Sequence, residues 1–267
     1  MHVPKADWFF IEEDSTKLRN WNNSENNIKI FWIEILDYLE VKKSFHLYFE
    51  DIHFPKIDYN NIKEIVEEIS VSKVSLFKKE IIPFPMTFVN CTFTGDVQFW
   101  QYKFKNNITF KNSIFYYLIF ESSTFNKGLS VIDCHFEEHF NLCRVESKED
   151  IIIDNMTMND KCSFDFHGLF RSEISFSNID FITELDTFSN SNNCNVHFNN
   201  VIFNNLVKIT MMQSSFSFNH CEFNNEFKIY SDNHSSLSFN QEEEQKQDKY
   251  RSKINHIYCH LRIQLSV

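Results

Sequence analysis

Glycine and proline are nearly missing from this chain: 3 Gly and 4 Pro among 267 residues. Hairpin-rich sandwiches turn through positive-φ residues that are mostly glycine, so that scarcity argues against an ordinary antiparallel sandwich. Long apolar runs are missing too. One of the longest is "YYLIF" at 116–120, far short of the roughly 20 residues of a membrane span. The opening "MHVPKADW" carries neither the basic nor the apolar block of a signal peptide, and a cytoplasmic protein is expected. Basic charge is in short supply, with 26 Lys and Arg against 37 Asp and Glu, a net charge of −11. A broad phosphate-binding surface, and with it direct nucleic-acid binding, is not expected from that balance. The three glycines, Gly95, Gly128 and Gly168, lie too far apart for a phosphate loop, and there is no Cys-x-x-Cys and no Gly-x-Ser-x-Gly.

What the chain has in excess is phenylalanine, 31 residues of it. Placed on a ruler, the large apolar residues run Phe88, Phe93, Phe99, Phe104, Phe110, Phe115, Phe120, Phe125, Val131, Phe136 and Leu142, in steps that mostly alternate five and six. The register resumes at Ile153, Met158, Phe164, Phe170, Phe176 and Phe181, then at Phe198, Phe203 and Ile209, and at Phe218, Phe223 and Ile229. Two places before many of these sits a second series that includes Val97, Ile108, Ser113, Leu118, Ser123, Leu129, Cys134, Ile174, Val196 and Val201. Residues two apart point to the same side of a strand. Each unit is therefore a very short strand with two inward side chains, followed by a corner. The corners fall on Asn90, Asn112, Asn155, Asn178 and Asn200, with Ser122 and Asp133 as substitutes. Asn suits them because it tolerates the left-handed conformation and bonds nearby backbone. Strands this short are stable only when the next turn of the chain stacks on them, which is the logic of a solenoid.

The stretch "FVNCTFTGDVQFWQYKFKNNITFKNSIF" (88–115) resembles the phenylalanine-rich branch of the pentapeptide-repeat family. The resemblance extends over residues 86–240 and implies a mainly β fold, a right-handed β-helix with coils of about 20–22 residues stacked at strand spacing. The chain departs from the family's common alanine-Asp/Asn-leucine pattern. Weaker units occur upstream in "FHLYFEDIHFPKIDY" (45–59), where a first coil is expected. Residues 1–85 are read as a mixed, largely helical cap around that coil, with helical spacing over 28–39 and again over 60–70. Residues 241–267 are read as a C-terminal helix, with Tyr250, Ile254, Ile257, Tyr258, Leu261 and Leu265 on one stripe. The polar stretches 143–150 and 182–195 are expected to be loops.

Seven cysteines raise the question of metals and disulfides. Cys91, Cys134, Cys162 and Cys221 each lie two residues before a ruler residue, in the inward series, where a cysteine acts as a small apolar filler. Cys143, Cys194 and Cys259 fall outside it. "HFEEH" (135–139) and "HIYCH" (256–260) cluster His135, Glu137, Glu138 and His139, and His256 with His260. Neither has the converging third ligand or the intervening Glu of a zinc enzyme. No catalytic, cofactor or metal residues are assigned, and an enzyme is not expected. The functional expectation is a non-catalytic scaffold or protein-binding module whose partner reads outward residues such as Trp100, Tyr116 and Tyr117. The alternative comes from the resemblance: some pentapeptide-repeat proteins are acidic rods that occupy the DNA-binding saddle of gyrase. Within 86–240, 18 acids and 10 bases leave −8, and a homodimer formed through the C-terminal end would favour that reading.

Overall fold

The computed structural model describes residues 46–51, 53–54, 81–82, 84–231, 234–240, 257–258 and 262–266. Every strand pairing in it is parallel, and the strands stack into four columns that the chain visits in turn. The first column holds Leu47–Glu50, Met86–Val89, Ile108–Lys111, Leu129–Ile132 and Ile151–Asp154, and continues through Ile174, Val196, Phe216 and Leu237. From Phe88 the register runs to Phe110, Val131, Ile153, Phe176, Phe198, Phe218 and Phe239. The offsets are thus 22, 21, 22, 23, 22, 20 and 21 residues. That is one coil per offset, and the molecule is a parallel β-solenoid.

The fifteen phenylalanines expected to line the interior, from Phe88 to Phe223, are all buried, none more than 6% exposed. Their rings stack along the axis because in-register parallel strands place like on like. Phe54, Phe93, Phe115 and Phe136 follow one another with centroids 4.5, 4.6 and 5.2 Å apart, each ring nearly parallel to the next. Phe176, Phe198 and Phe218 do the same at 4.9 and 5.0 Å. Neighbouring columns meet edge to face, as Phe110 and Phe115 do at 5.1 Å and 88°. Offset-stacked and edge-to-face contacts each add about 0.5–1.5 kcal/mol beyond the burial itself.

The corner residues are what turn one column into the next. Asp51, Asn90, Asn112, Asp133, Asn155, Asn178, Asn200 and His220 all have φ between 47° and 55° and stack as one ridge. A second ridge holds Gln101, Ser122 and Arg144. On the first, each side-chain amide donates to the coil before it. Asn90 reaches Asp51 at 3.0 Å, Asn155 reaches Asp133 at 2.7 Å, Asn178 reaches Asp154 at 2.8 Å, and Asn200 reaches Asn178 at 2.8 Å. Replacing Asn178 by Ala removes both its bonds and leaves a Cβ residue in the left-handed region, at an expected cost of about 1–3 kcal/mol. Asn178→Gly, which relieves the backbone, should cost less; urea unfolding of the two variants checks the order.

Three expectations need correction. The loop expected at 143–150 is strand as far as Ser147: Val145 pairs with Gly168 and Ser147 with Phe125, and both are buried. The repeat persists there with Ser in the Phe position, its hydroxyl donating to the Glu149 carbonyl at 2.6 Å. Likewise 182–195 is strand from Leu185 onward, with Leu185 paired to Phe164. Third, the C-terminal helix gives way to strands over Ile257–Tyr258 and Arg262–Ser266. There the alternation of "RIQLS" is period two, and it sets Ile263 beside Leu237 and Leu265 beside Phe239. The rest of 241–267 and the helical stretches expected within 1–85 lie outside the described residues. The coil expected at 45–59 is strand over Leu47–Glu50 and His53–Phe54.

One local shift also matters. Phe164 pairs with Phe140 and Phe166 with Leu142, so Phe166 is the ruler residue and Phe164 its inward predecessor. A tight turn, closed by Cys162 N–H donating to the Asn159 carbonyl at 2.8 Å, lengthens that coil and moves the register.

Candidate functional site

The cysteines resolve first, because the backbone explains them. A left-handed corner leaves the carbonyl of the preceding residue near the chain's inner side. The residue just after the corner then answers it with a short donor. Ser113 Oγ donates to Lys111 O at 2.9 Å and Ser214 Oγ to Met212 O at 2.9 Å. Cys91, Cys134 and Cys221 place Sγ 3.3–3.4 Å from the carbonyls of Val89, Ile132 and Asn219. These positions want a small side chain carrying a donor, which is why Ser and Cys alternate there. Cys194, expected outside the interior, is fully buried, with Sγ 3.1 Å from the Ser172 carbonyl. Cys143 is half-buried, Cys91, Cys134, Cys143, Cys162, Cys194 and Cys221 are all free thiols, and Cys259 lies outside the described residues.

Burial pushes the thiols of Cys134, Cys162 and Cys221 up to about 12, and that of Cys143 up to about 11. Each is therefore held as the neutral thiol, the unreactive form. Because the folded values are raised, their contribution to stability is intact below about pH 9, where an unfolded thiol begins to ionise. It is lost as the pH climbs towards 12. Chemical unfolding at pH 7, 9 and 10.5 should give a falling midpoint over the last interval, and a Cys134→Ser, Cys162→Ser, Cys221→Ser triple variant should show a smaller fall.

The histidines near 135–139 are held as surface partners and do not converge. His135 Nδ1 bonds Thr157 Oγ1 at 2.9 Å, and its Nε2 lies 3.3 Å from Glu137. His139 bonds Ser163 on the next coil and faces Asp165 at 3.7 Å. Among the described residues no group of three or more His, Cys, Asp or Glu side chains is placed to hold a metal ion. His256 and His260 lie outside those residues.

The outward aromatics sit on the column that runs through Val97, Leu118, Phe140 and Phe164. Trp100 is 58% exposed and Tyr116 38%. Tyr116 and Tyr117 meet edge to face at 5.0 Å, and Tyr117 lies 6.0 Å from the His139 ring. The three residues singled out from sequence are thus on two successive coils, with Tyr116 and Tyr117 together at one border of the column and Trp100 at the other. Carboxylates accompany them. Tyr116 Oη approaches Glu138 at 3.5 Å, and at the other border Glu121 follows Trp100 one coil on, since the Gln101 N–H bonds the Glu121 backbone carbonyl. Glu121 is ion-paired with Arg144 at the adjoining corner.

Among the described residues the acidic side chains on the ridges do not form one unbroken line. Along the first ridge the left-handed positions are Asp at 51 and 133 but Asn at 90, 112, 155, 178 and 200. A further ladder, Asn159 to Glu137, Asn204 to Asp180 and Asn224 to Asn204, again interleaves amides with acids. No helix among the described residues is long and apolar enough to cross a membrane. No family model, no curated protein and no solved structure matches the chain.

Proposed function

We propose that the protein is a non-catalytic scaffold or protein-binding module built as a right-handed β-helix of the pentapeptide-repeat type, working in the cytoplasm. The observation that carries this reading is the separation of roles along each strand. Inward residues form an apolar and thiol interior that holds its cysteines neutral, while outward residues stand on a rigid lattice and are free to vary. Exposed aromatics at Trp100 and Tyr116 are the side chains most suited to an interface. The test is affinity capture from the native host with the wild-type chain and a Trp100→Ala, Tyr116→Ala, Tyr117→Ala variant. A specific partner retained by the first and lost by the second supports the module; no difference between them removes it.

The acidic DNA-mimic alternative, an inhibitor of DNA gyrase or another DNA-binding protein, asks for a continuous carboxylate ridge comparable with one charge per about 1.7 Å of duplex. The interleaved Asn ladders weigh against it. A supercoiling assay in which micromolar protein blocks the enzyme would reinstate it.

A further inference from the structure

The aromatic column has a charge pattern that narrows what can dock on it. Its strands in four successive coils read "DVQFW" (96–100), "YLIFE" (117–121), "HFNLC" (139–143) and "SFDFH" (163–167), with no Lys or Arg among them. Arg144, at its border, is already engaged by Glu121, and a further cation, Lys161, precedes the fourth of these strands, two coils away from the aromatic pair. Trp100 and Tyr116 present large aromatic surfaces to solvent, Glu138 lies by the Tyr116 hydroxyl and Asp165 by the His139 ring, and Glu121 follows Trp100 in the next coil. An exposed ring next to a carboxylate is suited to a guanidinium or ammonium group, which can stack on the ring and pair with the acid at once. The geometry also sets a spacing. Trp100 lies four residues beyond Asp96, the position paired with Tyr117, and two beyond the strand end at Gln98, about 13 Å if the chain stays extended. Two side chains four apart on an extended peptide span the same distance.

We propose that this face docks an extended basic segment of a partner protein, with Arg or Lys side chains about four residues apart seated on Trp100 and on the Tyr116–Tyr117 pair. The proposal rests on the binding-module reading and gives its partner a chemistry: cationic, extended and shallowly bound. The net charge of −11 assists the encounter at low salt, and the rings supply the part that salt does not screen.

The probe is a fluorescein-labelled peptide, Arg-Ser-Thr-Ser-Arg-Ser-Thr-Ser-Arg, titrated by anisotropy at 0.15 M salt, with a Glu-for-Arg peptide as control. The proposal expects saturable binding of the Arg peptide alone. It expects affinity to fall about 5- to 10-fold in Trp100→Ala and in Glu121→Gln with Asp165→Asn. Glu222→Gln with Glu226→Gln, far along the rod, should leave it unchanged. Because all these side chains face outward, unchanged thermal melting of each variant separates lost binding from lost fold. Equal affinity across the variants, which marks diffuse attraction to an acidic protein, overturns the proposal, as does no binding near millimolar peptide. If the peptide fails while a host partner is still lost on the triple aromatic substitution, the basic chemistry falls and the module stands. If neither is observed, both fall.

Discussion

Replacing Phe115 by Ala should destabilise the protein by about 3–5 kcal/mol, measured as the shift in urea unfolding midpoint at constant m-value. Phe115 is fully buried. Its ring stacks on Phe93 at 4.6 Å below and Phe136 at 5.2 Å above, and meets Phe110 edge to face at 5.1 Å. Deleting it removes three aromatic contacts and opens a void that rigid coils on both sides cannot close, because their spacing is fixed by backbone pairing at about 4.8 Å. Phe115→Leu, which keeps most of the volume, should lose distinctly less. Replacing an outward neighbour instead, as in Tyr116→Ala, should change stability by no more than about 0.5 kcal/mol.

The second large effect is expected at Gly128. Its φ is +91°, and a Cβ there would collide with the Asp150 backbone carbonyl on the next coil. Gly128 also lends its own carbonyl to Ile108 N–H, so the chain cannot back away without breaking the ladder. Gly128→Ala therefore combines backbone strain with a backbone clash, and a loss of about 2–4 kcal/mol is expected. Hydrogen exchange should show the loosening centred on Ile108–Lys111, Leu129–Ile132 and Ile151–Asp154, the strands flanking that contact. Uniform loss of protection along the whole rod would instead mean that the coils unfold as a single unit and that the strain is not local.

The interior was legible because phenylalanine at a fixed step is a period-two signal interrupted by corners, and burial of so large a side chain leaves few alternatives. Asn90, Asn112, Asn155, Asn178 and Asn200 were legible as corners for the same reason: few residues accept a left-handed backbone. Val145 and Ser147, by contrast, looked like part of a polar loop. The strand there is held by backbone pairing to coils on either side, which does not depend on what Ser147 contributes. Cys194 was misplaced for a related reason: it lies four places before Phe198 in a stretch that reads as a polar loop, whereas the strand there pairs it with Ser214. The turn at Asn159–Cys162 displaced the register by two and exchanged the roles of Phe164 and Phe166. At the C-terminus, Ile257, Leu261 and Leu265 fit a helical stripe, whereas Ile263 and Leu265 fit a strand. Pairing with Ser236–Asn240 decides for the strand, and a one-dimensional stripe carries no information about that neighbour.

The candidate surface was legible only as residue types. Trp100, Tyr116 and Tyr117 stand out as aromatics off the ruler. That Glu121 follows Trp100, and Glu138 meets Tyr116, depends on coil offsets of 21 and 22 residues, which join positions with no local sequence relation. The donor role of the residue after each corner had a signal, in the recurrence of Cys or Ser two places before Phe in "NCTF", "NSIF", "SSTF" and "DCHF". Its cause is a carbonyl orientation that only the backbone reveals.

The most direct measurement of the central claim, that these coils stack in parallel register, is a set of engineered disulfides on the outer surface. Thr109 and Ser130 are paired partners on adjacent strands, about 4.8 Å apart, within the Cα separations a disulfide accepts. Thr109 and Ile152 are separated by one further coil, about 9.6 Å and beyond reach. Mild oxidation should therefore cross-link Thr109→Cys with Ser130→Cys rapidly and within one molecule, and leave Thr109→Cys with Ile152→Cys reduced. Cross-linking of the second pair with none of the first would contradict the stacked-coil structure.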